Sequence, residues 1–253
     1  MTFPFFKSHY SIGKSILTLA DAKGNSQGSD SVFEIAQEEG LKELFLVEDS
    51  LIGFLEALRG CEKHDLNLRF GLRLTICDSL DEEQVQCEHK VIVFAKNAGG
   101  CQALNKIYSF AFTQGNGRID CANLKKLWSA GDVSLVIPFY DSFIFQNLFY
   151  FAGCVPDFSF TKLTFCIENN NLPFEGLLTR KIVEYIEKTG GAPTLRAKSI
   201  YYKNREDFEA FQTYKCICRR QFSRKASLGN PNLEHCGSRE FSVEAWRGEK
   251  EGS

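Results

Sequence analysis

HKVIVFAKNAGGCQALNKIYSFAFTQG, residues 89–115, carries the pattern that decides the fold: a β-type run, HKVIVFAKN, followed at once by a helical segment, AGGCQALNKIYSFAFTQG. The glycines at 115 and 117 supply a turn, and a further helix begins near Asp120. The same alternation extends upstream. SVFEIAQEEG (31–40) sets Val32, Ile35 and Ala36 at helical spacing, closes on Gly40 and has Asp30 or Ser31 available as a cap. In LKELFLVED (41–49), Leu44 to Val47 form a compact apolar run bounded by charge, which suits a strand buried on both faces. IGFLEALRGCEKHD (52–65) reads as a helix and LNLRFGLRLTIC (66–77) as a strand. Downstream, SLVIPFY (134–140), FTKLTFCIE (160–168) and APTLRAKSIYY (192–202) read as strands. FEGLLTRKIVEYIEKTGG (174–191) is a strongly amphipathic helix that stops at Gly190-Gly191. Units of this kind predict an α/β barrel or a doubly wound sheet in one domain. DAKGNSQGSD (21–30) and DSLDEEQVQCEHK (78–90) read as surface connections.

A chain of 253 residues, 43% hydrophobic and 25% charged, can bury a sizeable core without staples, and its composition is that of an ordinary globular protein. The net charge of −2 excludes a global basic field for holding nucleic acid. Charge is uneven, however. Between Arg196 and Lys225 there are nine Lys/Arg against three Asp/Glu, so a basic stretch sits on an acidic body. Arg219, Arg220, Arg224 and Lys225 are its candidate contacts for a protein or nucleic-acid partner. No apolar run reaches the roughly 18 to 20 residues that span a bilayer, and MTFPFFKSHYS lacks a signal-peptide pattern. The expectation is a cytoplasmic chain with no membrane partner.

Ten cysteines without dense spacing read as reduced core thiols, with Cys216, Cys218, His235 and Cys236 as a weaker zinc alternative at unusual spacing. Gly99-Gly100 reads as a tight turn, because no GxGxxG or GxxxxGK[ST] motif is present. His64 and His89 lie in charged, surface-like segments, and the phenylalanines at 139, 143, 145, 149 and 151 read as core and interface.

The order of segments resembles the PHP (polymerase and histidinol phosphatase) domain of bacterial DNA polymerase III alpha subunits. The resemblance rests on 89–115 followed by RIDCANLKKLWSAGDVSLVI (118–137), with support from Tyr10-Ser11, LIGFLEAL (51–58), FCIENNNLP (165–173) and SIYYKNREDFEAF (199–211). It covers nearly the whole chain and implies a single PHP-like (β/α)7 barrel over about 3–240, with 241–253 as a tail that turns irregular near Gly248. In the family, strand ends present His, Asp and Glu to several metal ions that activate water for phosphoester hydrolysis. Carried onto this chain, those ligand positions fall on Phe5 and Lys7, then on Glu48 or Asp49, then on Arg73, Tyr140, Asn170, and finally on Lys198 and Ile200.

Cations at Lys7, Arg73 and Lys198 would repel a metal ion, so the resemblance implies a degenerate cleft without metal or other cofactor. The expected function is a catalytically inactive structural or protein-binding module, partnered with a polymerase or exonuclease of the replication machinery. Such a chain would be either part of a longer polymerase or a free-standing relative. Two alternatives stand beside it: an active metal-dependent phosphoesterase or 3′–5′ exonuclease, and a nucleic-acid-binding module using the basic 196–225 segment.

Overall fold

The computed structural model describes residues 2–21, 28–81, 83, 87–219, 229 and 236–251. Strands and helices follow as β1 (Phe3–Phe6), α1 (Val32–Glu38), β2 (Glu43–Glu48), α2 (Phe54–Lys63), β3 (Asn67–Cys77), β4 (Glu88–Ala95), α3 (Ala98–Thr113) and β5 (Arg118–Asp120). They continue as α4 (Cys121–Leu127), β6 (Val133–Ile137), α5 (Phe143–Tyr150), β7 (Leu163–Ile167), α6 (Glu175–Lys188), β8 (Thr194–Ile200), α7 (Phe208–Arg219) and α8 (Val243–Glu251). The sheet runs β2-β1-β8-β7-β6-β4-β3, and β2 also pairs with β3, so seven strands close into a barrel surrounded by helices. The short β5 lies outside the ring, parallel to the last residues of β3, with Thr75 to Cys77 facing Arg118 to Asp120. Most neighbours are parallel, as crossover helices require, while β4 is antiparallel to both β3 and β6.

Backbone contacts group the chain into two compact units. The first comprises Met1–Phe70, Glu168–Leu172 and Arg196–Ser253. Its core is aromatic around Phe6, Phe33, Tyr202, Phe211, Phe241 and Trp246, all essentially buried. Tyr201 stacks between Phe211 at 5.6 Å and Phe241 at 5.2 Å. The Trp246 indole N–H donates to the Thr2 carbonyl at 2.9 Å, which ties α8 to the start of β1. The stretch 241–251, expected as a tail outside the barrel, is instead largely helical, with Phe241, Val243, Ala245 and Trp246 buried. Burial of these four apolar side chains holds the segment against the rest of its unit.

The second unit comprises Gly71–Ile167 and Pro173–Leu195. Its core buries Leu72, Leu74, Val91, Val93 and Leu135 of the strands together with Leu104, Ile107 and Ala111 of α3 and Leu178 and Ile182 of α6. Asn97 caps α3, its side-chain oxygen accepting from the Gly100 N–H at 2.9 Å. A Cβ on Gly100 would sit 2.3 Å from the Asp132 carbonyl oxygen, so this glycine is there for close backbone approach. Gly99 and Gly100 thus lie in the first turn of α3 rather than in a tight turn ahead of it, and close packing accounts for Gly100 without invoking phosphate. Helix α5 was not foreseen. Its eight residues, FIFQNLFY, are too few and too largely apolar to show a 3.6-residue period, yet the Ser142 hydroxyl accepts from the Phe145 N–H at 3.3 Å and starts the helix.

Two readings of single residues are corrected here. Cys87 and Cys154 form a disulfide, with Cα atoms 5.6 Å apart and 67 residues between them in sequence, so not all ten cysteines are reduced. Nothing in the spacing of those two residues reports their meeting in space. His89 is 3% exposed, not a surface residue, because alternation along β4 turns it inward among Phe143 and Phe158.

Candidate functional site

In the first unit, parallel pairing places Phe5 beside Phe45 and beside Ser199, and Phe6 beside Ile200. Aligned residues of parallel strands share a face, so Phe5, Lys7, Phe45, Asp49 and Ser199 point to one side of the sheet. Pro4, Phe6, Glu48, Lys198 and Ile200 belong to the other. The positions Lys198 and Ile200 therefore do not share a face with Phe5 and Lys7, and Ser199 takes the place beside Phe5 that the resemblance assigned to them. The same alternation separates Glu48 from Asp49 and puts Asp49 on the face of Lys7.

Around these strand ends the polar atoms are closely knit. Lys7 is 5% exposed and its ammonium lies 3.4 Å from Asp49 Oδ1, while Lys14 lies 2.9 Å from Asp49 Oδ2. Glu48 is fully buried. One of its oxygens accepts from the Ser8 N–H at 2.7 Å, and the other accepts a short hydrogen bond from the Ser11 hydroxyl. Ser11 Oγ in turn accepts from the Asp49 N–H at 3.1 Å. Burial pushes the Glu48 carboxyl above the usual range and outweighs the opposing pull of Lys7 and the two serines.

A second buried carboxylate, Glu168, follows β7. It accepts from the Ser199 N–H and the Ser199 hydroxyl, both at 2.9 Å, and from the Asn170 amide at 3.2 Å. Desolvation again raises its pKa against those bonds and the charge of Lys198. Lys198, 1% exposed, donates to the Asn169 carbonyl and to Glu249 of α8, each at 2.6 Å. It is thus a structural cation under α8. Glu168 and Ser199 are the residues that sequence reading missed. Glu168 stood two positions from Asn170 in CIENN, and Ser199 one position from the expected pair.

In the second unit, Arg73 is paired with Asp141 and its side chain is 12% exposed. Lys90 donates from its backbone to the Asp141 carbonyl at 2.7 Å. The Tyr140 hydroxyl makes a short hydrogen bond to Glu175, and both residues are buried.

A multi-metal centre needs carboxylate and imidazole lone pairs aimed at a common point. Here both oxygens of Glu48 and both of Glu168 receive hydrogen bonds, and both of Asp49 meet ammonium groups. The residues present do not fit such a centre. Among the described residues, no three His, Cys, Asp or Glu side chains are grouped to hold a metal ion. Cys216 and Cys218, two apart on α7, project to different sides of the helix, and the Cys236 carbonyl accepts from Gln212. His235, Arg220, Arg224 and Lys225, and the side chain of Arg219, lie outside the described residues.

No family model matches the chain, and no curated protein matches it. Among solved structures, a protein from Bifidobacterium adolescentis provisionally described as a metal-dependent phosphoesterase is similar at 14% identity, with a TM-score of 0.26. The likeness covers 44% of this chain and 34% of the other, so this chain spans about a third of that neighbour's length. The barrel is read from this chain's own strand pairing. No described helix is long and apolar enough to cross a membrane.

Proposed function

We propose that this chain is a PHP-like barrel without phosphoesterase activity, acting as a structural and protein-binding module of the kind found in the DNA polymerase III alpha subunits that its sequence resembles. The observation that carries the reading is the saturation of the strand-end carboxylates: Glu48 and Glu168 by serine and backbone donors, Asp49 by Lys7 and Lys14. A metal ion would have to displace two ammonium groups and several buried hydrogen bonds, each costly to leave unmade. Ile12 after β1, Ile52 after β2 and Leu55 of α2 are 74%, 71% and 60% exposed, apolar side chains suited to a protein partner of the replication machinery.

The test is an assay of phosphatase and 3′–5′ exonuclease activity with manganese and with zinc, alongside calorimetric metal titration. No metal-dependent turnover and no saturable binding at these residues is expected. Turnover that disappears in both Asp49→Asn and Glu168→Gln would overturn the reading. Partner binding is checked by titrating polymerase core and proofreading exonuclease against the wild type and Ile52→Asp, which should bind more weakly.

A further inference from the structure

In the second unit the coil 151–157 leaves α5 at Phe151, whose backbone is left-handed at φ 54°. Its outward side chains have little cover, with Phe151 89% and Val155 92% exposed, whereas Cys154 is buried and bonded to Cys87 just ahead of β4. Beyond that bond, hydrogen bonds from its middle run back to α5, while at its far end Asp157 meets the Cys121 thiol through its backbone and accepts from the Ser159 N–H at 3.0 Å. Asn147 accepts from the Cys154 N–H at 2.6 Å and donates to its carbonyl at 2.8 Å, and the Ala152 N–H reaches the Gln146 carbonyl at 3.4 Å.

Cys154, Val155 and Pro156 are also the wall shared by two cavities. One, of about 500 Å³, is floored by Phe143, Ile144, Leu148 and Tyr185. The other, of about 460 Å³, is lined by Ile76, Cys77, His89, Asp120 and Cys121, and contains both disulfide cysteines.

We propose that the Cys87–Cys154 bond is a redox-removable strap, whose reduction frees the 151–157 wall and joins the two cavities. The reductant is a dithiol entering through the second cavity. Its thiolate attacks one sulfur, the Cys87–Cys154 bond breaks as a mixed disulfide forms, and the second thiol of the reductant displaces the protein sulfur. Two electrons and two protons pass to Cys87 and Cys154, and the reductant leaves as its own disulfide. Neighbouring Cys77 and Cys121 do not compete, because burial pushes both thiols up to about 11 and keeps them protonated near neutrality. Cys87 and Cys154 are 6% and 4% exposed, so a reductant in a reducing compartment meets the bond through the second cavity, which both residues line.

The test uses the full chain, purified with and without dithiothreitol. Peptide mapping under non-reducing conditions should show Cys87 linked to Cys154. Hydrogen exchange in pulses short enough to leave α3 protected should then run about tenfold faster over 148–158 after reduction. The double variant Cys87→Ser/Cys154→Ser should match the reduced wild type and no longer respond to dithiothreitol. An absent cross-link, or unchanged exchange over 148–158, overturns the proposal. So does loss of protection in α3 within the same pulse, which would make the bond a staple of the whole unit. The reduced wild type supplies the reading even if the variant fails to fold, and the outcome is independent of metal binding or phosphatase activity.

Discussion

The two compact units bury different chemistry. The first holds Lys7, Glu48, Glu168, Lys198 and Lys215 at 6% exposure or less, whereas among the described residues of the second the buried polar groups include His89, Ser142 and Glu175 but no lysine or arginine. Besides fewer buried charges, the second unit has a disulfide, set among rings in contact such as Phe143 with Tyr185 at 5.1 Å and Phe145 with Phe149 at 4.9 Å. Directional bonds to charged atoms make the first unit sensitive to the loss of single partners and to pH on the alkaline side. Shape and one covalent link make the second sensitive to reductant and acid. Each difference can be broken by experiment.

The largest expected effect is on the disulfide. A loop of 67 residues corresponds, by chain entropy alone, to about 4 kcal/mol. The urea midpoint should fall by that equivalent with dithiothreitol, and a shift below about 1 kcal/mol would mean that the bond hardly restrains the unfolded chain. Next comes Lys198→Met, which leaves the Asn169 carbonyl and Glu249 without their buried donor and should cost about 3 kcal/mol in the same measurement. Lys7→Met should cost only about 1 kcal/mol, because Asp49 keeps Lys14 at 2.9 Å. Equal losses at the two lysines would dissolve the distinction between a structural cation and a strand-end one.

Acid separates the units further. Burial holds His89 down to about 4 from an ordinary 6.5, so it stays neutral in the folded state while the unfolded chain takes up its proton. Stability should therefore be lost as pH falls from 6.5 towards 4, by about 3 kcal/mol, and His89→Leu should remove that loss in pH-dependent urea melts. The first unit's carboxylates act in the opposite sense. Glu48 and Glu168 are raised, so the folded state binds their protons more tightly. Their contribution is present below the usual carboxylate range and lost as pH rises through the raised values. Glu168→Gln keeps an acceptor for the Ser199 N–H by turning its amide, and should flatten this part of the curve with little change at acid pH. A variant with the slope of the wild type would shift the origin of that slope to Glu48.

Much of the alternation was legible because its periods are strong. The strands at 43–48, 67–77 and 88–95 and the helices at 98–113 and 175–188 follow directly from apolar runs and 3.6-residue spacing. Register was not. In TLRAKSI the choice between Lys198 and Ser199 as the residue beside Phe5 turns on a single position, and only pairing with β1 resolves it. The short α5, largely apolar, gave no period, and α8 is tied down by Trp246 finding a partner in Thr2. Contacts far apart in sequence, such as Cys87 with Cys154 or Glu168 with Ser199, leave no mark on either segment alone.

The pairing of β1 with β8 also sets an order of events at the ribosome. Phe3–Phe6 emerges early, yet its parallel neighbour Ala197–Ile200 is made nearly two hundred residues later. By then Gly71–Ile167 and Pro173–Leu195 have been made, whereas Phe3–Phe6 still lacks the strand that completes its pairing. Until β8 is made, the side of β1 that pairs with Ala197–Ile200 has no strand to bond, so the order of synthesis makes this the last edge of β1 to close.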